Sequence, residues 1–184
     1  AQDISAKDVG KQVSTKNYVE LSYIGKLGSQ AIDAYEKLKE KDNKMKLILI
    51  GGDSGDELHE EVKASDAEVI PRITREKLEF YYNAADVCIV PSYYESFGMV
   101  ALESMACGTP VVASDIPGNA RVARGGADAL QVEPGDSDPL GAALAKVLAD
   151  PVLADRLVAS GCRRAEEFAM HRLADRYLEA YASV

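Results

Sequence analysis

The apolar segments of this chain alternate between strand length and helix length, and that alternation limits the fold more than any other feature. Short apolar runs, "YVELSYIG", "MKLILIGG", "AEVIP", "DVCIVPS", "TPVVASD" and "ALQVEP", are separated by stretches with helical spacing: "QAIDAYEKLKEK", "DELHEEVKA", "TREKLEFYYNA" and "GMVALESMACG". A strand joined to its neighbour through a helix must return to the same end of the sheet, so the strands run parallel. The expectation is an α/β fold, a doubly wound parallel sheet with helices on both faces. From Ser137 onward the spacing is wholly helical, with Asp138 and Asp150 expected as caps and Pro139 and Pro151 in first turns. Thr74 is the expected cap of the helix after the third strand.

Residues 1–17 are polar and aperiodic and read as a lead-in or linker, residues 18–167 as a single domain, and residues 168–184 as a C-terminal helix. With 184 residues, 47% of them apolar, the chain can bury one substantial core. Its net charge of -9 argues against a nucleic-acid partner, whose affinity rests on clustered Lys and Arg. No apolar run approaches the roughly 20 residues of a spanning helix, and "AQDISAKDVGKQVSTK" lacks the apolar stretch of a secretory signal. A cytoplasmic location without membrane contact is therefore expected. Cys88, Cys107 and Cys162 are widely spaced, and His59 and His171 have no partner at helical spacing, so neither a disulfide framework, a metal site nor a cofactor is expected.

In an open parallel sheet, ligands sit outside the carboxyl ends of the strands. Three loops there are rich in Gly or Ser: "GKLGSQ" with Lys26, "GGDSGD" with Gly51 and Gly52, and "SYYESFG" with Glu95. Lys26 reads equally well as a phosphate ligand or a surface lysine. Glu95 and Glu103 lie eight residues apart, a coincidence that 30 acidic residues make ordinary, so context decides. Gly98 opens a helix whose first amides, on Phe97, Gly98, Met99 and Val100, lack intrahelical acceptors and form the positive end of its dipole. That arrangement suits an anion. Without a side chain, Gly98 would let a phosphate or sugar approach the backbone. Glu103 in the second turn leans back toward the helix start, so both carboxylates are expected to reach one cleft. The side chains of Phe97, Met99, Leu102 and Met105 are expected in the core, Tyr93 and Tyr94 could line the cleft or pack on the domain face, and Arg121, Arg124, Arg163 and Arg164 read most simply as solvated charge. An anion cradle flanked by two acids suits a nucleotide sugar.

Residues 84–118, "AADVCIVPSYYESFGMVALESMACGTPVVASDIPG", closely resemble the C-terminal donor-binding domain of retaining glycosyltransferases built from two Rossmann-like domains. That family includes sucrose-phosphate synthases, glycogen synthases and the inositol-phosphate N-acetylglucosaminyltransferase of mycothiol synthesis. Weaker resemblance extends from about Tyr23 through "LILIGGDSG" to "EPGDSDPLGAALAKVLADP". It implies a single Rossmann-like domain that binds a UDP-, ADP- or GDP-linked sugar and works with a preceding acceptor-binding domain. By resemblance, Glu95 is the catalytic-site carboxylate on the sugar hydroxyls, the amides of Gly98, Met99 and Val100 hold sugar and diphosphate, and Glu103 takes the ribose. Arg72 or the backbone of Ile73 would meet the base, and Gly51 and Gly52 would let their loop pass close to the donor. The final helix would dock on the acceptor domain, and this chain alone would bind donor without turnover.

The family usually carries an arginine after the first strand and a lysine four residues later, both on the diphosphate. Here "IGKLGSQAID" has Lys26 at the first place and no lysine at the second. This departure favours the rival reading of a non-catalytic nucleotide-sugar binding module. A related epimerase is a third reading, against which stands the absence of recognisable acid and base residues.

Overall fold

The computed structural model describes residues 18–22, 28–51 and 65–182. The six strands are β1 (Tyr18–Ser22), β2 (Lys46–Ile50), β3 (Glu68–Ile70), β4 (Val87–Val90), β5 (Val111–Ser114) and β6 (Leu130–Val132). The described helices are α1 (Gly28–Lys39), α2 (Arg75–Ala84), α3 (Met99–Ala106), α4 (Pro117–Val122), α5 (Ser137–Ala149), α6 (Pro151–Glu166) and α7 (Met170–Ala182). The expected helix "DELHEEVKA", with His59, lies outside the described residues, as do Lys26, Gly52 and the lead-in.

The strands form one sheet in the order β3-β2-β1-β4-β5-β6, every pair parallel. The fold is the doubly wound α/β arrangement expected. The chain builds outward from β1 to β3, then returns to place β4 beside β1, as in Val19 opposite Val87 and Leu21 opposite Ile89. That reversal opens a crevice at the carboxyl ends of β1 and β4.

Side-chain alternation along the central strands supplies a core on each face. Val87 and Ile89 join Leu47 and Leu49 beneath α1 and α5, while Cys88 and Val90 pack with Ala101, Met105, Val111 and Val122 under α3 and α4. Ile48 and Ile50 meet Ile70, Ile73 and Leu78 at the flank. α6 closes over both layers, its Leu153 and Leu157 in the first core and Ala165 in the second. Gly161 allows this approach, since a Cβ there would stand 3.0 Å from Met105 Cγ.

Asp150 caps α6 as expected, accepting from the Leu153 amide at 3.0 Å. The cap of α5 is Asp136 rather than Asp138: Asp136 accepts from the Asp138 amide, and the helix starts at Ser137. Pro139 is tolerated there because first-turn amides need no intrahelical acceptor. Thr74 occupies the N-cap position of α2 in extended geometry, without a side-chain capping bond. The helix α4 within "DIPGNARV" was not expected from the sequence. Met170, Leu173, Tyr177, Leu178 and Tyr181 of α7 are exposed. Among the described residues no helix is long and apolar enough to cross a membrane.

Candidate functional site

The residues after β4 run from the buried Pro91 to Gly98 at the carboxyl edge of the sheet. Ser92 Oγ donates to Glu95 Oε1 at 3.0 Å, drawing that carboxylate toward the strand end. Beneath the Glu95 peptide lies Gly118 of α4, where a Cβ would come within 1.9 Å of the Glu95 carbonyl oxygen. Gly98 adopts a left-handed conformation, φ 80° and ψ 40°, and its carbonyl accepts the Leu102 amide at 3.1 Å to start α3.

The Cβ side of Gly98 is filled by α4 and is not the open approach expected for a ligand. A Cβ there would meet Val122 Cγ2 at 2.9 Å, Gly118 O at 3.0 Å and Asn119 Oδ1 at 3.1 Å. The glycine is required by its positive φ and by the closeness of α4. Asn119 is fully buried; its Nδ2 donates to Ser114 O at 2.9 Å, while its Oδ1, facing Gly98, has no hydrogen-bond partner among the described residues. α4 is thus the bed on which Glu95 and the start of α3 rest. Sequence reasoning missed it, and its only local signal is Pro117 opening a helix of six residues.

The start of α3 is exposed, which corrects the core assignment of Phe97 and Met99, while Leu102 packs against the second core as expected. Met105 is buried, whereas Phe97 and Met99 are 36% and 43% exposed. Phe97 stands edge-on to Phe168, the centroids 5.7 Å apart. The amides of Met99, Val100 and Ala101 have no carbonyl acceptor within their own helix, leaving an electropositive helix start.

Glu103 faces a cleft of about 570 Å³ between α2, α3 and the α6–α7 junction. There its Oε1 accepts from Arg75 Nη2 at 2.7 Å. Met99 lines the same cleft, but Glu95 is not among its described lining residues, so the two acids border the helix start from different sides. Arg75, the first residue of α2, is a further site residue that the sequence did not single out. Arg72 is exposed in the β3–α2 connection, and Ile73 packs partly against Ile48 and Ile50. Gly51 follows β2 with φ 99°, and no described atom lies within 4 Å of where a Cβ would stand, so among the described residues its outer side is open.

Three carboxyl-edge segments are tied through Gln30 of α1, which donates to the Tyr93 hydroxyl and accepts the Gly135 amide at 3.2 Å. Tyr93 therefore packs on the domain edge, and Tyr94 is exposed. Two arginines expected to be solvated have structural partners. Arg124 grips Asp128 at 2.7 and 2.9 Å, and Arg164 donates to the carbonyls of Val122 and Arg121 while covering the Phe168 ring. Burial alone would raise the pKa of Asp128, but hydrogen bonds from Arg124 and Ser160 overcome it and hold the group at about 2.

Residues 16–164 match the family Glycosyl transferases group 1. The chain belongs to that family. Among its relatives is the D-inositol 3-phosphate glycosyltransferase of Rhodococcus erythropolis, 35% identical over an alignment of 147 positions that covers 74% of this chain and 33% of the relative. Sucrose-phosphate synthase from Thermosynechococcus elongatus superposes with a TM-score of 0.74 at 29% identity, over 97% of this chain and 49% of that one. Anabaena Alr3699/HepE, solved in complex with UDP-glucose, shares the fold with a TM-score of 0.82 at 20% identity, over 98% of this chain and 54% of that one. The chain therefore spans about a third of the curated relative and about half of the two solved structures.

Proposed function

We propose that this chain is the donor-binding half of a retaining glycosyltransferase that moves a hexose from a nucleoside diphosphate sugar to an acceptor hydroxyl. One juxtaposition carries the reading: free helix-start amides at the carboxyl edge of the sheet, with Glu95 on one side and Glu103 on the other. The amides of Gly98, Met99 and Val100 hold the diphosphate and stabilise the charge that develops when the anomeric carbon–oxygen bond breaks. Glu95 accepts hydrogen bonds from the sugar hydroxyls and fixes the anomeric carbon, and Glu103 accepts from the ribose. Lys26 supplies a cation to the diphosphate, Gly51 and Gly52 pass close to the donor, and Arg72 or the Ile73 backbone meets the base. The nucleotide sugar is a substrate, and the reading invokes no cofactor.

A preceding acceptor domain completes the cleft, and the exposed apolar face of α7 is its docking surface. Alone, the chain binds donor without turnover. Calorimetric titration with UDP-, ADP- and GDP-glucose tests this: one donor binds, and Glu103→Ala weakens it. Failure of all three to bind the folded protein overturns the reading.

The non-catalytic module is a second reading, supported by the short connection of residues 23–27 between β1 and α1, which carries Lys26 as its one cation. The two readings part in a longer protein containing the preceding domain. Donor consumed with release of nucleotide supports the transferase, and donor bound but never consumed supports the module.

A further inference from the structure

The described residues lining the cleft beside α3 include three carboxylates, Glu79, Glu103 and Glu166, and one cation, Arg75. Glu103 lies four residues after Met99, one helical turn or ~5 Å along the axis from the amides that would hold the diphosphate, and its side chain leans toward them. An unneutralised carboxylate there repels an anionic ligand through partly desolvated space, since the Glu103 side chain is only 25% exposed. The guanidinium of Arg75, 2.7 Å from Oε1, cancels that charge while leaving Oε2 and the remaining lone pair of Oε1 free for ribose hydroxyls. Arg75 stands at the first residue of α2, the end of a helix dipole that disfavours a cation, so local helix preference does not account for it.

We propose that Arg75 is a specificity-determining residue of the nucleotide site: by neutralising Glu103 it lets one carboxylate grip a ribose beside a diphosphate, and so selects nucleoside diphosphates over nucleosides. This rests on the reading of Glu103 as the ribose ligand. Lysine at position 75 would retain the charge and lose the planar fork.

The test is protein-observed NMR titration of uridine with UDP, adenosine with ADP and guanosine with GDP, followed with whichever diphosphate the protein binds. The Arg75 side chain is 76% exposed and its pair contributes little to stability, so Arg75→Ala should fold normally. In low salt Arg75→Ala should weaken the diphosphate about tenfold while the nucleoside changes less than about threefold, and Arg75→Lys should recover most of the loss. Raising salt to about 0.5 M should narrow the difference. In a Glu103→Gln background, where the carboxylate that Arg75 pairs with has lost its charge, Arg75→Ala should lose most of its effect on the diphosphate. Nucleoside and diphosphate weakened by one common factor, or a diphosphate tightened by Arg75→Ala, overturns the inference and leaves the donor-site reading standing. Folded wild-type protein that binds none of the diphosphates overturns both.

Discussion

Gly118 lies directly beneath Glu95, so close that a Cβ on it would sit 1.9 Å from the Glu95 carbonyl oxygen. No rotamer relieves such a clash, because a Cβ is fixed by the backbone and the atom it meets is backbone too. Gly118→Ala must therefore push the Glu95 peptide off α4 or tilt α4 itself. We expect a loss of about 1–3 kcal/mol in stability, the cost of overpacking a tight contact, and weaker donor binding because Glu95 moves. Thermal melts and donor titration on the same sample check both. A variant with native melting and native affinity would show that the contact is not needed.

Glu95 and Glu103 are expected to fail in different ways. In a protein containing both domains, Glu95→Ala should abolish transfer with donor affinity reduced less, because its hydrogen bonds orient the reacting sugar. Glu103→Ala should leave chemistry measurable at saturating donor and weaken nucleotide binding roughly tenfold or more, the scale of lost hydrogen bonds to a charged acceptor. Nucleotide release measured against donor concentration separates the two. Near-native activity in both variants would remove the acids from the site.

Asp128 makes stability depend on acid. The fully buried carboxylate accepts from Arg124 Nε, Arg124 Nη2, the Arg124 amide and Ser160 Oγ, which ties the segment after α4 to α6. Its folded pKa of about 2 lies below its ordinary value of 3.8. The folded state thus binds the proton less readily than the unfolded chain, and the stabilisation is complete above about pH 4 and lost as pH falls through about 2. Its size is roughly 2 kcal/mol from linkage. Asp128→Asn should remove most of this acid dependence, read from denaturant midpoints between about pH 2 and 5, and should destabilise the neutral-pH protein by leaving Arg124 without its charged acceptor.

The parallel sheet was legible in the sequence because it depends on local pattern: strand runs such as "VCIV" are apolar on both faces, and the helices between them carry their own spacing. The helix start at Gly98 was legible for the same reason. α4 was not, since six residues containing Pro117, Gly118 and Asn119 carry no helical spacing of apolar residues, and what holds them helical is contact with Glu95, Gly98 and Ser114. The cap of α5 is Asp136 where Asp138 was expected because an acid stands on each side of Ser137, and only the backbone path selects between them. Arg75 escaped notice because its partner Glu103 lies 28 residues away on another helix, and Arg124 read as solvated charge because its i,i+4 partner Asp128 lies past the end of α4.

Gln30 permits stability and donor binding to be separated at the carboxyl edge. Its amide is nearly buried, giving a hydrogen to the Tyr93 hydroxyl and taking one from the Gly135 amide. Gln30→Met keeps the volume and loses both bonds, so about 1 kcal/mol of stability should go, limited because the half-exposed Tyr93 hydroxyl turns to water. Gln30→Glu should keep more of it: a carboxylate still accepts the Gly135 amide, and the Tyr93 hydroxyl reverses to donate. The new charge, however, stands at the edge where the diphosphate is expected. Gln30→Glu should therefore melt closer to wild type than Gln30→Met and yet bind nucleoside diphosphates several-fold more weakly, an effect that fades with salt. Equal affinity in the two variants at low salt would place the diphosphate away from this edge and count against the positions assigned to Lys26 and the α3 amides.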